Sequence, residues 1–172
     1  MSAADSVTVS IEIAVPLAVA FAVFTEDLDA WWQRGPRYRF LAPYQGVLRL
    51  EPRAGGRLLH VRDDDARDAF VVGRVRVWDP PGRLAFSWRL PNFTAGQSTE
   101  VEVRFEAVAD GTRVTLTHGG WDAVPADHPA RHGHVERAFV LFKGRWWADV
   151  LGAAKRHAER LHTGADAQGG RS

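Results

Sequence analysis

Two basic side chains inside apolar stretches are the first candidates for chemistry in this sequence. His118 follows Val114 and Leu116 at alternating positions, which places its ring on the apolar face of a predicted strand. There the ring could orient a ligand or exchange a proton near neutral pH, or a backbone group could satisfy it. Lys143 lies about 60° from Trp146 on a helical wheel, inside an apolar arc. Its amine could extend to a rim, pair with a buried acid, meet the anionic head of a ligand or, with a depressed pKa, form a Schiff base.

Three histidines, His128, His132 and His134, form a second group of candidates. Metal sites can show such close spacing, but no acidic or cysteine ligand accompanies these residues. The neighbouring Arg131 and Arg137 would also repel a cation. We therefore predict a solvent-exposed histidine cluster rather than a metal site.

The acidic run at residues 63–68 is predicted to be the solvated tip of a hairpin. It lacks the spacing and the glycine of a calcium-binding EF-hand loop. The sequence also contains no cysteine, no glycine-rich phosphate loop, no nucleophile elbow and no helix with two metal-binding histidines. It therefore predicts no metal site, no cofactor and no defined catalytic residue, which favours a protein that is not an enzyme.

Length and charge indicate an ordinary globular domain. The chain has 172 residues and a formal net charge of +1, which gives no reason to expect nucleic acid or an acidic membrane as a partner. No stretch resembles a signal peptide or a membrane span, so we expect a cytoplasmic protein. Seven tryptophans and nine phenylalanines are available to line a core or an apolar pocket.

The elements that must position these residues follow from hydrophobic periodicity. A long helix over 134–161 is predicted from an apolar arc that covers about half of its circumference. Two short helices are predicted at 17–24 and around Leu28, Trp31 and Trp32. Residues 1–6 and 163–172 are predicted to be disordered tails, so that 7–162 form a single domain. The predicted strands are 7–13, 46–50, 57–62, 70–78, 83–90, 98–107 and 112–118.

This order of elements predicts an α+β fold in which one antiparallel sheet packs on the long helix. Consecutive hairpins produce antiparallel pairing, and alternation along 98–107 gives the sheet a polar and an apolar face. The long helix is the element that can cover the apolar face. Arginines on two strands are expected to form the solvated outer face and to pair with Glu100 and Glu102. They are Arg74, Arg76, Arg83 and Arg89. A strongly curved sheet around one helix favours a cavity between the two.

Several short motifs, in order over about residues 7–160, resemble one known family. The chain is similar to the START-like, helix-grip (SRPBCC, Bet v 1-like) superfamily and, within it, to the domain named after the activator of Hsp90 ATPase. The motifs that carry the resemblance are Val15-Pro16, Ala20-Phe21, Phe24-Thr25, Trp31-Trp32, residues 51–56 with their double glycine, Gly73, residues 79–84, Phe86-Ser87-Trp88, Thr99-Glu100-Val101, Gly111-Thr112, residues 117–121, Gly144-Arg145-Trp146 and Leu151.

The resemblance implies a curved seven-stranded antiparallel sheet around a C-terminal helix, with an apolar cavity gated by loops. We expect a small hydrophobic molecule as the ligand and either a monomer or a homodimer. We do not expect Hsp90 as a partner, because chaperone-activating members carry a separate N-terminal domain for which this chain has no room. The residues expected to bind the ligand are Trp31, Trp32, Tyr38, Leu59, Val61, Phe86, Trp88, Val103, Phe105, Leu116, His118, Trp121, Phe139, Phe142, Lys143 and Trp146.

Two other functions stay open at this point. One is an enzyme of the polyketide cyclase or aromatase type, with His118 or Lys143 as a proton carrier. The other is a stress-related interaction module of the Hsp90-activator type. An open apolar pocket with one polar group favours binding, two converging titratable groups favour an enzyme, and a closed, dry interior favours an interaction module. The alternative to any cavity is that the same side chains pack as a solid core.

Overall fold

A computed structural model describes residues 5–62 and 68–169 of the chain. The predicted hairpin tip at 63–68 lies outside the described residues except for Asp68, whose carboxylate pairs with Arg62 at 2.9 Å. The first four and last three residues of the two predicted tails are also outside the described residues.

All seven predicted strands and all three predicted helices are present. The strands are β1 (Val7–Ile13), β2 (Val47–Leu50), β3 (Arg57–Val61), β4 (Ala69–Asp79), β5 (Arg83–Trp88), β6 (Thr99–Val108) and β7 (Gly111–Gly119). The helices are α1 (Leu17–Glu26), α2 (Leu28–Trp31) and α3 (Glu136–Gly169). Two short 3₁₀ helices, Trp121–Ala123 and Pro129–Arg131, lie between β7 and α3.

The strands form one curled antiparallel sheet in the order β1-β7-β6-β5-β4-β3-β2. Each strand pairs with its neighbour along the chain except β1, which pairs with β7 and aligns Val9 with Leu116. Alternation works as predicted in β6, where Val101 and Val103 are fully buried while Glu100 and Glu102 face outwards. On that outer face Arg83 pairs with Glu102, and Arg76 lies 3.4 Å from Glu100, which confirms two of the predicted ion pairs. Arg89 instead donates to the carbonyl of Phe93.

Leu59 and Val61 of β3 were expected to face the ligand, but they lie on the face of the strand that points away from the main core. The register sets Leu48 opposite His60 and Leu50 opposite Leu58, and Leu58 belongs to the main core. Leu59 and Val61 are buried but lie on the other face of the strand. The alternation was misleading because His60 looked polar, whereas its ring is completely buried and is hydrogen-bonded at both nitrogens.

Helix α3 lies across the sheet and contacts β1, α1 and α2. Its 34 residues correspond to a length of roughly 50 Å. The helix begins two residues later than predicted and continues beyond Leu161 to Gly169, because residues 162–169 contain no proline that would stop it. None of the described helices is long and apolar enough to cross a membrane.

The space between the sheet and α3 is filled rather than hollow. Trp32, Trp88 and Trp147 pack with ring centroids 5.5–6.3 Å apart, mostly edge to face. The gap that remains beside Trp32 and Trp147 measures only about 10 Å³. The predicted cavity between sheet and helix is therefore corrected to a solid aromatic core, since interlocking indoles occupy the volume that the curvature creates.

Candidate functional site

An open pocket of about 370 Å³ lies at one end of this aromatic core. Its walls come from the loop after α2, the loop after β5, the 3₁₀ helix at Pro129–Arg131 and the first turns of α3. Aromatic rings and basic side chains dominate the lining, and no carboxylate is among the lining residues that the structure describes. They are Pro36, Arg37, Tyr38, Arg39, Phe40, Tyr44, Trp88, Leu90, Pro91, Asn92, Pro129, Ala130, His132, Phe142, Lys143 and Trp146.

The first wall, residues 36–46, is held by a buried ion pair. The guanidinium of Arg39 is fully buried and lies 2.7 Å from Asp29 at the start of α2. The same carboxylate accepts a hydrogen bond from the backbone N–H of Leu48 in β2. Burial raises the pKa of Asp29, but the hydrogen bonds from Arg39 and Leu48 and the nearby guanidinium charges outweigh it, so that its pKa is lowered.

Two indoles and one histidine attach this wall to the core. The Nε1–H groups of Trp32 and Trp146 donate to the carbonyls of Tyr38 and Arg37, at 2.9 and 2.8 Å. His60 accepts from the backbone N–H of Leu41 and lies 2.7 Å from the carbonyl of Gln45. The loop therefore has a defined position although it contains no regular element.

The opposite wall rests on a second, smaller core that includes Phe93, Trp121 and Phe139. Arg131 is buried there and donates to the carbonyls of Trp121 and Val124, at 2.7 and 3.0 Å. Its guanidinium also lies 4.8 Å from the centre of the Phe139 ring, a cation–π contact.

Lys143 is the ionisable side chain that sets the character of the pocket. It lies on the first turns of α3, is only 8% exposed, and lines the pocket. Its Nζ atom is 4.1 Å from the centre of the Trp146 ring and 5.6 Å from that of Trp121. Within the described part of the chain no group forms a hydrogen bond or ion pair with this amine. Burial lowers the pKa of Lys143 from 10.5 to about 7, because the charged form is poorly solvated.

His118 has a structural role instead of facing the pocket. Its Nδ1 accepts a hydrogen bond from the indole of Trp147 at 3.0 Å, so the remaining proton is on Nε2, which donates to Thr99 Oγ1 at 2.7 Å. Thr99 in turn donates to the carbonyl of Trp88. Burial, and secondly the charge of Lys143, lower the pKa of His118 well below its ordinary value. A fully bonded, neutral and buried ring of this kind cannot exchange protons with a ligand.

The three histidines of the loop do not converge. His128 accepts from the backbone N–H of Ala130 and thereby caps the 3₁₀ helix, while His132 and His134 pack against the ring of Phe142. Among residues 5–62 and 68–169 no cluster of three or more potential metal ligands occurs.

Five of the sixteen residues expected to bind a ligand line this pocket: Tyr38, Trp88, Phe142, Lys143 and Trp146. The other eleven do not line it. Trp31, Trp32, Phe86, Val103, Phe105 and Leu116 belong to the main core, Trp121 and Phe139 to the smaller core, and Leu59 and Val61 to the other face of β3. The eleventh is the buried His118.

Sequence reasoning missed the residues that shape the first wall, above all Asp29, Arg39, Phe40 and Tyr44. Tyr38, Phe40 and Tyr44 stand at even-numbered positions between Pro36 and Gly46, which break regular structure. This pattern predicts neither a helix nor a strand, so it could not place these rings in the fold. Arg39 could not be recognised as buried, because its partner Asp29 is ten residues away on another element.

Comparison with known proteins gives a consistent picture of the fold. Residues 14–138, more than half of the chain, match the family described as activator of Hsp90 ATPase homolog 1-like protein. No functionally curated protein matched the sequence.

Three solved structures illustrate the likeness of the fold. A protein from Nitrosomonas europaea has a TM-score of 0.61 and 18% identity over 97% of this chain and 99% of its own. An Hsp90 activator from Plasmodium falciparum has a TM-score of 0.55 and 18% identity over 83% and 87%, respectively. The Aha1 dimer from Colwellia psychrerythraea has a TM-score of 0.57 and 17% identity over 90% and 96%.

Proposed function

The chain belongs to the activator of Hsp90 ATPase homolog 1-like family, and from that premise we propose that it binds a small hydrophobic molecule in the pocket beside Lys143. The fold by itself supports either a ligand-binding module or a module of the Hsp90-activator type. The interior between sheet and helix is filled, so the choice depends on the open pocket at its end. This pocket has a volume of about 370 Å³, within the range of small-molecule sites, and is lined by aromatic rings and a few basic groups.

The walls support binding because they are held before a ligand arrives. Tyr38 stacks on Trp146 with their planes 27° apart, and the carbonyls of Arg37 and Tyr38 accept hydrogen bonds from two indoles of the core. A ligand that enters such a site displaces water from ring faces without having to order the loop. The predicted ligand-binding set is thereby revised to the residues that line this pocket.

Titration with the uncharged fluorescent probe N-phenyl-1-naphthylamine tests the proposal. We expect saturable binding by the full chain, with a blue-shifted emission as the probe leaves water. Asn92→Trp places a large ring on the exposed rim of the pocket and should weaken binding severalfold. Thr94→Trp, in the same exposed loop but outside the lining, is the matched control and should bind as the unmodified chain does. Equal binding by all three proteins, or none by the unmodified chain, would contradict the proposal.

An enzyme of the cyclase or aromatase type is less well supported. Its two candidate proton carriers do not converge, since His118 is bonded to Trp147 and Thr99 while Lys143 faces the pocket. A general acid and base must both reach the reacting atoms.

Contact with Hsp90 is the second candidate function, because the family and the Plasmodium falciparum structure bear that description. It can be separated from ligand binding by measuring the ATPase rate of Hsp90 with and without this chain. We expect no stimulation, and a clear increase that Asn92→Trp leaves unchanged would favour the interaction module.

A further inference from the structure

Both arginines that line the pocket form ion pairs with carboxylates, whereas Lys143 forms none with the residues that the structure describes. Arg37 lies 2.9 Å from Asp149, and Arg39 lies 2.7 Å from Asp29. Both guanidinium groups at the pocket therefore already have carboxylate partners. Lys143 has none within the described part of the chain, and its contacts are the faces of two indole rings.

Two buried hydrogen-bond donors near the pocket also have no acceptor within the described part of the chain, the indole N–H groups of Trp88 and Trp121. The buried Oε1 atom of Gln33 is an acceptor without a partner among the same residues, but Gln33 does not line the pocket. Trp88 lines the pocket with Lys143, and the amine of Lys143 lies over the ring of Trp121. Buried polar groups without partners are costly, so the amine of Lys143 and the indole N–H of Trp88, which belong to residues of the pocket lining, favour a ligand that brings an acceptor.

We propose that the ligand of this pocket carries one acidic group, a carboxylate or another anion that only accepts hydrogen bonds, and that this group binds Lys143. The inference rests on the proposed function and specifies its ligand class: an apolar body against the rings of Phe40, Phe142 and Trp146, with an anion at the lysine end. Charge-assisted hydrogen bonds of this type are about twice as strong as neutral ones.

Binding of an anion should be coupled to uptake of a proton above neutral pH. Burial lowers the pKa of Lys143 to about 7, so much of the free protein carries a neutral amine at pH 8. A carboxylate nearby favours the charged form and raises that pKa again. The other ionisable groups that face this region come from β7, from the segment before α3 and from the first wall. They are His118, Arg131, His132, Tyr38, Tyr44 and the paired Arg37 and Arg39. Burial is the main cause that lowers the pKa of both histidines, so they are neutral at pH 8.

The experiment compares 2-naphthoate with 2-naphthamide by isothermal titration calorimetry of the full chain at pH 8. The two probes share the ring system, but only the first carries a charge. We expect naphthoate to bind roughly tenfold or more tightly than naphthamide, the usual effect of a hydrogen bond to a charged group. Titration in two buffers of different ionisation enthalpy should show proton uptake with naphthoate and none with naphthamide.

Substitution of the two lysines of the chain, Lys143 and Lys155, provides the controls. Lys143→Met removes the charge at nearly constant volume, and should abolish both the preference for naphthoate and the proton uptake while naphthamide still binds. Lys155 bonds to the Glu12 carbonyl away from the pocket, so Lys155→Met should behave as the unmodified chain does. Bound naphthamide also demonstrates that the Lys143→Met pocket is folded.

The outcomes separate the two proposals. If the unmodified chain binds both probes equally, or if Lys143→Met keeps the preference for naphthoate, the acidic-ligand inference is wrong while the proposed function stands. If the unmodified chain binds none of the three probes, naphthamide, naphthoate and N-phenyl-1-naphthylamine, then the acidic-ligand inference and the proposed function are both wrong.

Discussion

His118 shows how a single residue that looks catalytic can instead belong to the core. Its two ring nitrogens connect Trp147 on α3 with Thr99 on β6, so the ring joins the helix to the sheet through polar contacts inside an apolar interior. Such a network is satisfied only while the ring is neutral, because a protonated ring would direct a second N–H at the indole N–H of Trp147.

The first prediction follows from the lowered pKa of His118. The unfolded chain binds a proton on this histidine below pH 6.5, whereas the folded chain does not, so the free energy of unfolding should fall as the pH drops below about 6.5. The slope contributed by one histidine is at most about 1.4 kcal/mol per pH unit. Urea unfolding at pH 7.5, 6 and 5 measures it.

His118→Gln is the matched variant, because its amide can accept from Trp147 and donate to Thr99 without titrating. We expect it to reduce the slope, while the buried His60 retains part of it, since burial also lowers the pKa of that ring. Identical slopes in both proteins would show that His118 is protonated in the folded state.

A second prediction at this scale concerns Lys143. Between pH 7 and about 10.4 the unfolded chain holds a proton on this lysine that the folded chain has released, so the stability should rise with pH over this window. Lys143→Met should therefore stabilise the protein most at pH 7 and below, and progressively less towards pH 10. Denaturant unfolding of both proteins at pH 6.5 and 9.5 provides the comparison, and a pH-independent difference would show that the amine stays charged.

At the scale of elements, the loop between α2 and β2 is the part of the site that regular structure does not explain. It forms one wall of the pocket, and its position depends on Asp29, which joins Arg39 to the backbone of Leu48. The ion pair acts together with the hydrogen bonds from Trp32 and Trp146, which also attach the loop to the core.

We predict that Asp29→Ala destabilises the protein by about 3 kcal/mol, because it leaves the buried Arg39 guanidinium without its carboxylate. Binding of N-phenyl-1-naphthylamine should weaken as well, since the wall loses its position. Thermal unfolding and probe titration measure the two effects. Glu26→Ala, at the exposed end of α1, is the control and should change neither, and an unchanged melting temperature in Asp29→Ala would contradict the structural role of the pair.

Part of the segment before β1 is packed into the fold, although its composition predicts a disordered tail. Asp5 lies in the predicted tail, yet it is buried and accepts hydrogen bonds from the backbone N–H groups of Gly120 and Asp122. Short polar residues next to a strand are easily interpreted as solvated, because their acceptors are distant in sequence.

At the scale of the whole molecule, the wide apolar arc of α3 is covered within the chain. A homodimer would require that the arc residues Val140, Trp147 and Leu151 be exposed. Trp147 and Leu151 are at most 1% exposed, and Val140 is half-buried against the core. The large exposed apolar residues near and on the helix, Val135, Leu141 and Leu161, are separated, the last two by roughly 30 Å. Isolated apolar side chains of this kind are ordinary on a protein surface.

We therefore predict a monomer by sedimentation at micromolar concentration. The reason is that the described surface has no contiguous apolar patch along the helix that a second copy would bury. A dimer mass would contradict this, and Leu141→Glu would then identify whether the N-terminal part of α3 is the interface.

The sequence by itself determined the elements and their order. Alternation along Val101, Val103 and Phe105 and the helical arc of α3 reflect local periodicity, which each segment carries regardless of its neighbours. The family resemblance then supplied the arrangement of sheet and helix, and the match over residues 14–138 confirms the family.

Only the tertiary structure decided where empty space remains. Whether Trp32, Trp88 and Trp147 surround a cavity or fill it depends on their mutual distances, and these depend on the placement of α2, β5 and α3 together. The same holds for His60 and Arg39, whose burial requires partners from other elements. Periodicity reports which face of a segment is apolar, whereas packing volume and hydrogen-bond partners are properties of the assembled fold.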